Sequence, residues 1–396
     1  MKTNKRQLNY SSTVALYLRP ASHPATAWHS WHHGGMTPSI GELRTIGLAA
    51  GLCAVGATNA SPFDDVRTEI ERRRAEGLHG GMQFTYRNPA RSTDPQHVLP
   101  GAASLVVGAY DYQREAPTPP NGVVVGRVAA YSWEDHYAML RNALEAIAVA
   151  LRAEGHRAVV VADQNHLVDR AAAHRAGIGW WGKSSNILIP GAGSLVVLGA
   201  VVTDGVIAPD HTEPVSDGCG TCTQCLSGCP TGAIVEPGVI DARRCLAWLV
   251  QTDGMFPVEF REALGDRIYG CDDCQDVCPP NRVRMRRPSG AGADEAWIDL
   301  LDVLAADNSS LMDRLGRWYI ANRDPDYVRR NALLVLANVA DGTDPAVRAA
   351  VEQYLDSPNP MLRAHAVWTA RRLDIALPHQ VMADPDALVA IEVARP

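Results

Sequence analysis

From residue 37 onward the chain alternates between two hydrophobic periods. Unbroken apolar runs at Ala103–Ala109 (ASLVVGA), Arg157–Ala162 (RAVVVA) and Ser194–Val202 (SLVVLGAVV) read as buried strands. Between the first two, Asp135–Ala153 carries apolar residues at helical spacing. Leu43, Ile46 and Ala50 form another helical stripe, with Ser39 placed to cap it. Mixed helices and strands of this kind predict an α/β or α+β domain over residues 37–205.

The pattern changes twice further on. Residues 206–290 have short helices and turns, followed by a Gly/Ala/Pro-rich linker over 291–310. Residues 311–396 look repetitive. Tyr327-Val328-Arg329-Arg330-Asn331-Ala332-Leu333 returns in outline as Met361-Leu362-Arg363-Ala364-His365-Ala366-Val367, with a shorter copy at Ala346–Ala350. Each follows an Asp-Pro or Asn-Pro step, and proline near a helix start suits stacked helical pairs of the HEAT type. An ordinary helical cap is the plainer alternative. Residues 1–36 fit none of this: they hold His23, His29, His32 and His33 and little periodicity. They are expected to be a disordered extension, with translation starting at Met36.

Composition narrows the class. At 46% hydrophobic and 20% charged the chain reads as ordinary globular protein, and no apolar window is long enough to span a bilayer. A net charge of −7 argues against a uniformly basic nucleic-acid coat, leaving a local patch as the alternative. Eight of the nine cysteines fall between Cys219 and Cys278, which points to metal in a reducing compartment, hence the cytoplasm.

The first cysteine run, Cys219-x2-Cys222-x2-Cys225-x3-Cys229-Pro230, has ferredoxin spacing, in which the fourth thiolate serves a second cluster. The second, Cys271-x2-Cys274-x3-Cys278-Pro279, is one cysteine short, and Cys245 can supply it. The ligands then divide into Cys219, Cys222, Cys225 and Cys278 for one [4Fe–4S] cluster, and Cys229, Cys245, Cys271 and Cys274 for the other. Zinc ribbons also use paired CxxC motifs, but they do not explain the shared x3-Cys-Pro ending. Cys53 is left over as a small buried hydrophobe. A simple ferredoxin would leave the upstream residues without a role.

Upstream, Asp163 stands at the end of a predicted strand, and Gly177, Gly179 and Gly182 permit close approach of a large ligand. Taken with both cysteine runs, with HGGMQFTYRNPARSTDPQHVLPGA (His79–Ala102), GSLVVLGAVVTD (Gly193–Asp204), YGCDDCQDVCPPNR (Tyr269–Arg282) and RDPDYVRRNALLVLAN (Arg323–Asn338), the chain resembles the epoxyqueuosine reductases from about Thr37 to its end.

That resemblance implies an α+β fold. A nitroreductase-like cobalamin-binding domain (37–205) would precede a ferredoxin-like domain with two [4Fe–4S] clusters (206–290) and C-terminal HEAT-like repeats. It also implies Asp163 as proton donor and cobalamin contact, with Ile187 and Leu198 flanking the corrin and Ser194 nearby. Lys183 is expected either on the cofactor or in a surface salt bridge. The implied partners are an external electron donor and tRNA carrying epoxyqueuosine. Arg282, Arg284, Arg286, Arg287, Arg329, Arg330 and Arg363 are candidates for the RNA surface, in a chain expected to be a monomer. Gln164, Asn165 and His166 depart from the smaller residues usual after the acid, and Leu246-Ala247-Trp248-Leu249 lacks the hydroxyl residues expected after Cys245. The rival readings are a reductive dehalogenase-like paralogue, which would normally carry an export signal, and a non-catalytic iron–sulfur electron carrier.

Overall fold

The computed structural model describes residues 37–210, 215–286 and 294–395. The histidine-rich extension, Met36 and Arg287 lie outside them. Ser39 caps the helix Ile40–Ala49 in a capping box, its side chain accepting from Glu42 N while Glu42 reaches back to the Ser39 N–H. Asp135 likewise caps His136–Ala153 through Ala138 N.

Four strands form the first sheet, in the order Ala54–Asn59, Ser104–Asp111, Val196–Thr203, Ala158–Ala162, with every pairing antiparallel. An α+β arrangement results, with helices on both faces. Leu140, Leu144, Ile147 and Leu151 of the long helix are fully buried on one face. Their burial contributes roughly 6–12 kcal/mol as an upper estimate. Gly108 and Gly199 pair across the two central strands, and a Cβ on either would meet Leu144 within 2.9 Å. Glycine there lets the helix sit close to the sheet. Ala171, Ala172, Ala173 and Ala176 pack on the opposite face.

A second sheet crosses the expected domain boundaries. Its central strand, Val125–Val128, pairs in parallel with Arg267–Tyr269 and antiparallel with Trp297–Asp299. The expected linker 291–310 is therefore partly structured: Trp297–Asp299 is a strand, and Leu300–Ala305 is a helix capped by Asp299. The composition hid this, because an edge strand of so few residues has too short a pattern to read.

Helices form over the three similar segments, at Asp326–Val339, Pro345–Leu355 and Pro360–Arg372, each starting at its proline step. They share one apolar core with the cysteine-rich region, running from Val128 and Leu246 through Ile268 and Val303 to Val389.

Candidate functional site

The two cysteine runs fold alike. Each CxxC leads into a short helix, Gln224–Ser227 or Asp273–Asp276, while Cys245 and Cys278 cap the helices Leu246–Leu249 and Pro279–Met285. Helix N-termini present amides to thiolates, and the Ala247 and Trp248 amides serve Cys245 in this way. Cys219, Cys222, Cys225 and Cys278 line one cavity of ≈ 250 Å³, together with Trp180, Lys183, Leu188 and Pro279. The indole Nε1 of Trp180 is buried without a protein partner.

The other four thiols also act on one another. Burial and the neighbouring Cys271, Cys245 and Cys229 push Cys274 well up, and burial pushes Cys271 up to about 12. Burial raises Cys278 to about 11, with Cys219, Cys225 and Cys222 adding to it against the Asn281 amide. Cys229 runs the other way: burial opposes, but amides including Ala233 N at 3.2 Å hold its thiol below the usual value. Thiols crowded in this fashion become thiolates readily only around a shared cationic centre. Among the described residues, no three His, Cys, Asp or Glu side chains form a single-ion coordination group. The first four thiols instead line a cavity, and the other four lie close enough to act on one another, so the residues present fit iron–sulfur clusters.

Cys53 is half-buried beside the apolar core, its thiol pushed up to about 12 chiefly by burial. Lys183 Nζ donates to Gly220 O at 2.7 Å and Cys222 O at 2.9 Å, bracing the first cysteine loop.

Asp163 follows the end of its strand in a left-handed conformation, φ 54°. Extending the register one step past the Ala162–Gly199 pair sets it opposite Leu198. Its side chain is open to solvent and makes no hydrogen bond among the described residues, yet protein crowds it from several sides. Desolvation raises its carboxyl to about 6, with Arg141 opposing and Asp135 adding. Asp163 thus combines an accessible side chain with a desolvated carboxyl.

Sequence reasoning missed the groups around Asp163. Tyr137 interacts with both Asp163 and Asp169, and Tyr269 with Asp163 and Tyr131. Burial, then Asp163, pushes Asp169 well up, and its Oδ1 is buried without a partner. Isolated tyrosines from distant segments carry no spacing signal.

Ile187 and Leu198 are buried in one apolar cluster, so they offer a ligand shape and backbone. Ser194 is committed elsewhere. Its N–H donates to Asn281 Oδ1 at 2.7 Å, and its hydroxyl donates to Gln275 Oε1 at 3.0 Å while accepting from Asn281 Nδ2 at 2.9 Å. These bonds dock the cysteine-rich region onto the sheet, and a Cβ on Gly193 would sit 2.1 Å from Asn281 Oδ1.

Of three arginines expected on an RNA surface, Arg329 and Arg330 are buried, while Arg363 is half-buried and paired. Arg330 is fully buried and donates to Leu249 O, Thr252 O and Gly254 O. Arg329 is held by Asp326, Asn308 and Ala306 O, and Arg363 by Asp384 and Ser357 O. A repeated Arg at helical spacing looked like an exposed stripe, but it tethers each helix to neighbouring loops. Arg282 and Arg286 remain exposed, whereas Arg284 is half-buried against Asp111.

A crowded carboxyl and two four-thiol groups in one compact unit are the equipment of an iron–sulfur oxidoreductase. Residues 218–281 match the 4Fe-4S double cluster binding domain. Epoxyqueuosine reductase of Bacillus cereus is 33% identical over 84% of this chain and 88% of its own length. A crystal structure of epoxyqueuosine reductase with an epoxyqueuosine-modified tRNA-Tyr stem loop is 30% identical, covers 89% of this chain and 96% of its own, and superposes with a TM-score of 0.78. Another, from Bacillus subtilis, has its catalytic aspartate loop swung out of the active site; it is 31% identical over 89% and 96% of the two chains, with a TM-score of 0.78. The chain belongs to the epoxyqueuosine reductase family.

Proposed function

We propose that this chain reduces epoxyqueuosine to queuosine at the wobble position of tRNA, with Asp163 as the proton donor. The observation that carries the reading is the crowded, unpaired carboxyl of Asp163 at about 6, in the same compact unit as two four-cysteine groups. Removing the epoxide oxygen as water consumes an electron pair and a pair of protons. Cys219, Cys222, Cys225 and Cys278 hold one [4Fe–4S] cluster; Cys229, Cys245, Cys271 and Cys274 hold the other. Together they pass electrons one at a time from an external donor.

Cobalamin fits the remaining chemistry. Asp169 Oδ1 is buried and unpartnered and Asp163 has no bond of its own, so both suit a ligand rich in amide donors above the floor made by Ile187 and Leu198. When bound, cobalamin supplies a strongly reducing cobalt centre able to accept single electrons and act on the epoxide carbon. Asp163 gives a proton to the oxygen freed as the C–O bond opens. A ligand covering the cleft removes the remaining water around Asp163 and raises its carboxyl further, keeping it protonated nearer neutral pH. Tyr137 and Tyr269 lie near Asp163, and Tyr131 beside Tyr269, so buried ring surface borders the carboxyl. Single-stranded presentation of the modified base lets it reach this depth, and Arg282 and Arg286 remain for phosphate contact by a monomeric chain.

Anaerobic reconstitution with iron, sulfide and cobalamin tests the cofactor set. The expected holoprotein retains both by gel filtration, and Asp163→Asn retains both as well. Clusters retained with no cobalamin would reduce the chain to an electron carrier.

A further inference from the structure

The loop carrying Asp163 is tied down by side chains that the proposed reaction does not use. Arg91 Nη2 lies 2.5 Å from His166 Nε2, and His166 Nδ1 lies 2.9 Å from Gln164 Oε1. A guanidinium only donates and an amide oxygen only accepts. The relay therefore has one consistent proton arrangement: a neutral imidazole, accepting at Nε2 and donating from Nδ1. Ser92 Oγ adds a second tie, donating to Asn165 O at 2.9 Å. Both ties run from the short helix Pro89–Ser92 to the residues directly after Asp163.

Asp163 needs such support. Its φ of 54° is a conformation L-residues avoid, at a cost of about 1–2 kcal/mol, and nothing else among the described residues bonds to its side chain.

We propose that Arg91, His166 and Gln164 are positioning residues, a neutral-imidazole latch that holds the Asp163 loop in its working place. The proposal rests on the reading of Asp163 as proton donor. Arg91, from the helix packed against the loop, is the charged group acting on His166; Asp163 is the other titrating group of the loop. Protonation would set an Nε2–H and a positive ring against the Arg91 guanidinium. Burial, then Arg91, holds the imidazole below its usual 6.5. The latch is therefore closed at neutral pH and opens as pH falls through that lowered value.

The test uses the holoenzyme with two variants. His166→Ala removes the relay. His166→Gln keeps an acceptor for Arg91 and a donor for Gln164 but cannot protonate. His166→Ala is expected to lower kcat roughly ten- to a hundredfold with KM for the RNA stem loop nearly unchanged, since small misplacement of a catalytic group is expensive. His166→Gln should recover most of the loss and lack the acid-side fall in kcat that the parent shows. Independently of turnover, NMR titration should find the His166 imidazole below 6.5, moving up toward it in Arg91→Ala.

Wild-type kcat in His166→Ala, or an imidazole titrating at or above 6.5 in the parent, would overturn the latch. So would a raised KM at unchanged kcat, which would make Arg91 and His166 RNA contacts. Loss of cofactor content in His166→Ala would mean a structural role instead. If Asp163 is not the donor, Asp163→Asn stays active while the imidazole titration is unaffected, so the two failures are distinguishable.

Discussion

At Asp163 the carboxyl is raised to about 6 from an ordinary 3.8, chiefly by desolvation. The sign of its pH dependence follows. A proton donor works in its protonated form, so turnover should fall as pH rises through about 6, with a separate fall on the acid side where the His166 latch opens. The same raised value favours the protonated state of the fold, so any stability it contributes is also lost on raising the pH. Asp163→Asn, which keeps the shape but cannot give up a proton, should cut single-turnover rate about 10²–10⁴-fold. Its residual rate should be flat across pH 5–8, a range chosen to bracket that titration. A steep profile in the variant would assign the proton to another group. The place of Asp163 at a strand end was legible from the apolar run before it, while its role came from the family resemblance. Tyr137, Asp169 and Tyr269 were not, since only folding brings their segments together. Arg330 was misread because an Arg at helical spacing shows its charge but not the carbonyls that surround it.

Among the elements, the cysteine motifs were the most legible, because ligand spacing is fixed by cluster geometry rather than by context. The structure gathers Cys278, from the second run, with Cys219, Cys222 and Cys225 of the first. Cys278→Ala should therefore eliminate the cluster of the first run, halving iron from about eight to about four per chain while leaving one cluster reducible by EPR. Loss of the other cluster instead would contradict the crossed assignment. Strands with long apolar runs were also legible, whereas Ala54–Asn59 (AVGATN) was missed. It is short and rich in small residues, and Gly56 serves a close contact: a Cβ there would lie 2.4 Å from Ala176 O. Such a segment owes its strand conformation to pairing with Ser104–Asp111, not to its own pattern.

On the scale of the whole molecule, the boundaries suggested by composition separate regions that share structure. The second sheet joins residues from both sides of the cysteine-rich region, and one core continues into the terminal helices. The last helix, Ala387–Ala394, is locked to the segment preceding the strand Arg267–Tyr269 by Arg261 and Glu392, a 2.7 Å pair with side chains 1% and 2% exposed. Glu392→Ala leaves that guanidinium buried and uncompensated, so it should cost about 3–5 kcal/mol and lower the Tm of the holoprotein. A change below about 0.5 kcal/mol would show that the pair is dispensable.

No helix among the described residues is long and apolar enough to cross a membrane. The molecule's net charge of −7 leaves RNA binding to placement rather than excess of arginine. The decisive measurement is anaerobic turnover: holoprotein, reductant and tRNA carrying epoxyqueuosine, followed by mass analysis of the digested nucleosides. The account predicts loss of one oxygen per modified base in the parent, and conversion slowed about 10²–10⁴-fold in Asp163→Asn despite intact clusters and cobalamin. An untouched nucleoside in the parent, with both cofactors bound and reduced, would contradict it.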